Sequence, residues 1–133
     1  MIIVDSSALI AILKHEAERV SFTRVIASAD FCLLSAVSLQ ETCLVLASRK
    51  RNGANWTVLD AYLEQADIEI ISFDAALARA ASDAFLRFGK GRHPAALNLG
   101  DCASYALAKQ RGAPLLYKGG DFARTDIVSA LTA

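Results

Sequence analysis

The stretch from Leu97 to Phe122 constrains this chain most. Between Asn98 and Gln110 apolar residues recur at helical spacing, and after Pro114 the run Leu115-Leu116-Tyr117 is short, apolar and bounded by Gly119, the mark of a buried strand. Two isolated acids stand in this otherwise apolar sequence: Asp101 at the start of the helix and Asp121 just past the strand. If that strand is parallel and central, the crevice beyond its carboxyl end is where an open α/β sheet places its chemistry. Which other carboxylates arrive there then decides what the chain does.

The first comes early. Met1–Val4 is wholly apolar and β-branched at three of its four positions, which predicts a strand buried on both faces of a parallel sheet. Asp5 stops it, and Ser6 and Ser7 lead into the apolar run Ala8–Leu13, so Asp5 or Ser6 also reads as a helix cap. Next come an amphipathic helix over Glu16–Ala29 with Val20, Val25 and Ile26 inward, and a second strand over Phe31–Leu34. On a helix from Val37 to about Arg51, helical spacing puts Val37, Glu41, Leu44, Val45 and Ser48 on one face. A carboxylate among apolar neighbours must sit at a cleft mouth, pair with a base or bind a cation, or else the helix boundary is shifted and Glu41 is on the surface.

Arg49–Gly53 reads as a positively charged helix end closed by glycine rather than an RNA-binding patch. A helix over Trp56–Ala66 with Trp56, Leu59 and Leu63 on one face, a third strand over Ile68–Ile71 and an Ala-rich helix over Asp74–Phe88 follow. Gly89–Pro94 is a basic loop, either a plain connector or a phosphate contact through residues such as Arg92. Thr125–Val128 suggests a short fifth strand.

A chain of 133 residues with 54% hydrophobic content makes one domain, 1–133, with one continuous core. Charged residues are 21% and the net charge is +0, so no global field draws it to nucleic acid, and any polyanion site is local. No apolar run approaches the roughly 20 residues needed to cross a bilayer. With no secretory signal pattern either, a cytoplasmic protein is expected. Cys32, Cys43 and Cys102 lack metal or redox spacing and read as core thiols.

If the first and fourth strands are neighbours, Asp5 and Asp121 leave the sheet at the same edge. Local topology is less accommodating to Asp101: a helix antiparallel to the strands and leading into the fourth is expected to start at the opposite end. Asn98 with Asp101 also resembles a capping box, and Gly119-Gly120-Asp121 an ordinary turn. Several carboxylates within a few ångströms stay ionised together only around a divalent cation. Hard oxygen donors without a His or Cys cluster point to Mg²⁺ or Mn²⁺ rather than zinc. Such an ion suits phosphodiester hydrolysis.

Asp5 with Ser7, Glu41 within Ser38-Leu39-Gln40-Glu41, Gly91–Cys102, and Leu115–Phe122 with Thr125-Asp126 resemble, in order and over essentially the whole chain, a PIN-domain ribonuclease of the VapC toxin type. The resemblance implies a three-layer α/β/α sandwich with a central parallel sheet of four to five strands. It implies Asp5 and Asp101 as principal Mg²⁺ ligands, with Glu41 and Asp121 completing the metal and catalytic set. Ser7 and Arg92 would meet substrate, and Asp126 would order the last loop. It further implies endonucleolytic RNA cleavage, a homodimer and a cognate VapB-type antitoxin. A PIN nuclease acting in RNA maturation or on DNA, a phosphoacceptor signalling domain using Lys118, and a binding module without catalysis are the alternatives.

Overall fold

The computed structural model describes residues 1–48 and 56–131. In chain order these form β1 (Ile2–Val4), α1 (Ser6–Leu13), α2 (Arg19–Ser28), β2 (Cys32–Ser35), α3 (Ala36–Ser48), α4 (Thr57–Gln65), β3 (Ile68–Ile71), α5 (Ala75–Phe88), α6 (Leu99–Arg111) and β4 (Leu115–Leu116), followed by a 3-10 turn at Phe122–Arg124. All strand pairs are parallel and the order is β3-β2-β1-β4. The charged segment expected to close α3 lies outside the described residues.

Alternation along the strands sorts the core into two layers. Ile3, Leu33 and Leu115 face α5 and α6, packing with Leu77, Phe88 and Leu107. Ile2, Val4, Leu34 and Leu116 face the opposite layer, where Leu9, Phe22 and Leu59 come from α1, α2 and α4. Helices thus cover both faces of the sheet, which is why the strands read as continuous apolar runs. All three cysteines are free, with Cys32 and Cys102 buried and Cys43 half-buried. Among the described residues, no helix is long and apolar enough to cross a membrane.

Four sequence expectations are corrected. On α2, Val20 is 61% exposed and Phe22 and Ile26 are the inward pair with Val25 beside them, because at about 100° per residue Val20 lies nearly opposite Phe22. On α3 the fully buried positions are Ser38 and Thr42, not the face through Leu44, which is exposed. That helix packs on α1 and α6, so its inner face carries Leu39, Cys43 and Leu46 against the core with Ser38 turned to Ser104 on α6, about a quarter-turn or more from the expected stripe. Thr125–Val128 is not a strand, since the Thr125 hydroxyl donates to the Phe122 carbonyl and accepts from Ile127 N. The tail meets β4 at the Leu115–Ser129 bridge, where Leu115 N donates to the Val128 carbonyl and Ala130 N to the Leu115 carbonyl.

The fourth correction concerns α6. Its first turns lie beside Asp5, with Ser104 bonded to that carboxylate. A helix that runs against the strands and delivers the chain to the amino end of β4 must begin above their carboxyl ends, so the expected displacement of Asp101 was an error of direction. Asn98 and Asp101 also form the expected capping box, and Gly112 closes the helix in the left-handed region at φ 59°.

Burial separates two substitutions cleanly. Leu33→Ala, at 2% exposure, is expected to lower the unfolding free energy by about 2–5 kcal/mol in urea titration. Val20→Ala, on the solvent side of α2, should stay within about 0.5 kcal/mol of the parent.

Candidate active site

The pairing of β1 between β2 and β4 sets one carboxyl edge, and Asp5 is the residue at that edge. Its amide completes the ladder by donating to the Leu116 carbonyl at 2.9 Å. The side chain is 2% exposed and caps α1. One oxygen, Oδ2, accepts from the Ser7 amide at 3.0 Å and the Ser7 hydroxyl at 2.6 Å, while Oδ1 accepts from the Ser104 hydroxyl at 2.6 Å. Ser7 Oγ in turn accepts from Lys118 N at 3.0 Å, joining the end of β4 to the same group. Capping and site formation are therefore one arrangement here.

Glu41 comes from α3 and is held by the Ser6 hydroxyl at 3.2 Å. Its carboxyl packs so closely on α6 that a methyl group at Gly100 would occupy its place. Asp101, one residue on, accepts from Asn98 N at 3.0 Å through Oδ2. Burial, then the Asp5 charge, push Glu41 up to about 7, with Asp101 adding to the repulsion and the Ser6 hydrogen bond opposing it. Burial likewise raises Asp101 to about 6, reinforced by Asp5 and Asp121 and opposed by the Asn98 amide. Asp121 is exposed at the start of the 3-10 turn and reaches the cluster through its charge.

Charge thus couples Asp5, Glu41 and Asp101 to one another and Asp121 to Asp101. Among the described residues no ion pair reaches any of the four. Nor do three His, Cys, Asp or Glu side chains there close into a ready coordination cage. Lys118, which a phosphoacceptor site would direct at its acids, gives its ammonium to Glu16 and Glu18 at 3.3 and 3.1 Å. Arg92 is exposed on the loop after α5. That loop is pinned by the Gly89–Leu97 bridge, by His93, whose ring packs edge-on to Phe88 while Nδ1 accepts from Ala95 N, and by Arg124 on the Pro94 carbonyl. Asp126 accepts from the Tyr105 hydroxyl at 2.5 Å and pairs with Lys109 and Arg87, which ties the tail to α5 and α6. The Tyr105 hydrogen bond is the main cause holding its carboxyl below the usual range.

Sequence reasoning missed Ser104, Ser38, Ser6 and Gly100. The signal for two of them was available: Gly100, Ala103, Ser104 and Leu107 share a face of α6 by the i, i+3, i+4, i+7 rule, and a hydroxyl on a buried face needs a partner.

The PIN domain family matches residues 2–128. The chain belongs to that family. Within it, the chain is 44% identical over 130 residues to ribonuclease VapC28 of Mycobacterium tuberculosis, spanning 97% of both. It is 42% identical over 127 residues to the ribonuclease VapC of Mycolicibacterium smegmatis, spanning 96% of this chain and 98% of that one. This is a PIN domain of the VapC ribonuclease type. The fold is also that of VapC20 of Mycobacterium tuberculosis, a toxin described as cleaving the sarcin-ricin loop, with a TM-score of 0.74 at 21% identity over 96% of this chain and 97% of that one. VapBC2 of Rickettsia felis, solved on a fragment of promoter DNA, gives 0.71 at 22% identity over 97% and 96%.

Two consequences of the crowded acids are measurable without a substrate. Glu41 and Asp101 hold protons more tightly folded, at about 7 and 6, than the roughly 4.3 and 3.9 of an unfolded chain. The stability they contribute is therefore fully present below about pH 4 and lost as pH rises through about 7. The thermal midpoint of metal-free protein should fall across that window, and Glu41→Gln should flatten the fall. Gly100→Ala should flatten it too, because the new methyl expels the Glu41 carboxyl toward water. Helix propensity favours Ala over Gly by about 1 kcal/mol, so overall stability should not drop, and a crystal structure of the variant should show Glu41 displaced.

Proposed function

We propose that the protein is a Mg²⁺-dependent endoribonuclease, the toxin of a type II toxin-antitoxin pair. The observation that carries this is the mutual charge coupling of Asp5, Glu41 and Asp101, with Asp121 within charge reach of Asp101 and all four unpaired among the described residues, in a chain so similar to proteins named VapC ribonucleases. The donor set fits the ion. It is all hard oxygen, and the mutual repulsion of Asp5, Glu41 and Asp101 is what a dication would relieve. An open cluster rather than a closed cage suits Mg²⁺, which keeps several waters and takes one or two carboxylates besides substrate phosphate. Mn²⁺ is the natural substitute.

Asp5 and Asp101 would hold the ion, with Glu41 and Asp121 holding waters at its margin. When bound, the ion would polarise the phosphodiester and lower the pKa of water. The protein's part is placement: Ser7 and the Lys118 amide fix Asp5, the capping box fixes Asp101, and Gly100 admits Glu41. Arg92 and the neighbouring Lys90 lie exposed on the pinned loop, suited to holding an RNA backbone by charge alone.

For partners we propose a VapB-type antitoxin and a second copy of the chain, acting in the cytoplasm. Structural neighbours include a toxin-antitoxin complex from Klebsiella pneumoniae, which supports the first. The apolar groove bordered by Phe85, Leu86 and Leu99, all exposed, supports a protein partner on that face.

Purified protein incubated with total RNA should produce new ends with Mg²⁺ or Mn²⁺ and none with excess chelator. Asp101→Asn, which removes charge but little volume, should cut at least about 100-fold more slowly, since even outer-shell changes at metal sites cost 10–100-fold. Cleavage of DNA but not RNA would favour the other PIN nuclease reading. No cleavage by folded, antitoxin-free protein with either metal would overturn the proposal of broad ribonuclease activity.

A further inference from the structure

Beneath the acidic cluster lies a line of hydroxyls that the capping and carboxylate pattern does not explain. Ser104 and Ser38 are both 0% exposed, on helices α6 and α3, with their Oγ atoms 3.1 Å apart. Ser104 is surrounded along its helix by Cys102, Ala103, Ala106 and Leu107, all buried, where alanine would serve packing equally well. Burying a hydroxyl without a partner costs about 1–3 kcal/mol on mutational evidence, so each must be bonded.

The direction of every bond follows from Asp5. Ser104 donates its one proton to Oδ1, and its lone pair is then left to accept from Ser38. On the other side Ser7 donates to Oδ2 and accepts from Lys118 N. The Ser38 carbonyl accepts from Thr42 Oγ1 at 2.8 Å, which anchors the far end within α3. A carboxylate has about four acceptor positions. Oδ2 uses two, on the Ser7 amide and hydroxyl, and Oδ1 uses one, on Ser104, so the position left is on Oδ1.

We propose that Ser104 is a positioning residue: its hydroxyl, oriented by Ser38, fixes Asp5 so that the remaining acceptor position of Oδ1 is the one offered to the divalent cation. The inference rests on the metal reading above and assigns a role to a group that touches neither ion nor substrate. It also explains why two hydroxyls face each other where α3 meets α6, the helices that bring Glu41 and Asp101. The same contact that docks the helices aims the carboxylate between them.

The test is Mn²⁺ binding, followed by the loss of the free-ion electron paramagnetic resonance signal, on wild type, Ser104→Ala, Ser38→Ala and Asp5→Asn, with thermal midpoints of the metal-free proteins alongside. Ser104→Ala should bind Mn²⁺ about 10–100-fold more weakly, the usual effect of an outer-shell partner. Ser38→Ala should lose less, since Ser104 keeps its bond to Asp5. Ser104→Cys, nearly equal in size but a weak donor, should behave like the alanine variant and guards against misfolding from a void. Wild-type affinity in folded Ser104→Ala and Ser104→Cys, with Asp5→Asn unable to bind, would overturn the positioning role and leave the metal site standing. Failure of the wild type itself to bind Mn²⁺ would overturn both. A lowered thermal midpoint without weaker binding would make the serine pair a packing device only, against the proposal.

Discussion

Everything at the acidic edge depends on one strand of three residues, β1, lying between β2 and β4. Ile3 pairs with Leu33 on one side and Leu115 on the other, so the strand is buried on both faces and both edges. That position gives Asp5 no freedom: its amide is committed to Leu116 and its carboxylate emerges beside the end of β4. The α/β connection rule then supplies the rest. Each helix that precedes a strand of a parallel sheet starts at the carboxyl edge, so α6 begins where β1 ends.

The price of that convergence is electrostatic. Three hydroxyl and amide donors hold Asp5, but among the described residues Glu41 and Asp101 each receive a single side-chain hydrogen bond while losing water, and their affinity for protons rises accordingly. Capping does not compete with this arrangement. The bonds that cap α1 and α6 are the ones that orient Asp5 and Asp101, because a helix N-terminus favours negative charge and offers the amides that hold it. Gly100 shows the same economy in reverse, giving up helix propensity so that a carboxyl can lie against the backbone.

The four strands and the starts of α5 and α6 were legible because short apolar runs, Asp74 and Asn98 carry local signals that tertiary contacts reinforce. Faces were less so. Val20 is apolar but falls nearly opposite Phe22 on α2, so residue type pointed inward where helical spacing points out. For α3 the wrong apolar stripe was read: Leu39, Cys43 and Leu46 pack inward beside the fully buried Ser38 and Thr42, while Leu44 faces out. The four acids could be found by their isolation in apolar sequence. Ser104 could not be singled out by type alone, because its significance lies in a partner 99 positions away.

The zero net charge conceals a sharp local imbalance. Lys118 stands next to the cluster in sequence and through its amide, yet its ammonium is held by Glu16 and Glu18. Arg87 and Lys109 are engaged by Asp126. Compensation for the acids must then come from outside the described residues' own ion pairs. On the proposed reading a divalent cation supplies it during catalysis, and a basic side chain of the antitoxin would relieve the same repulsion. Two such cations would compete for one set of carboxylates, so inhibition would weaken as the free metal concentration rises. The open, unpaired geometry that makes the edge costly for folding is what makes it responsive to either.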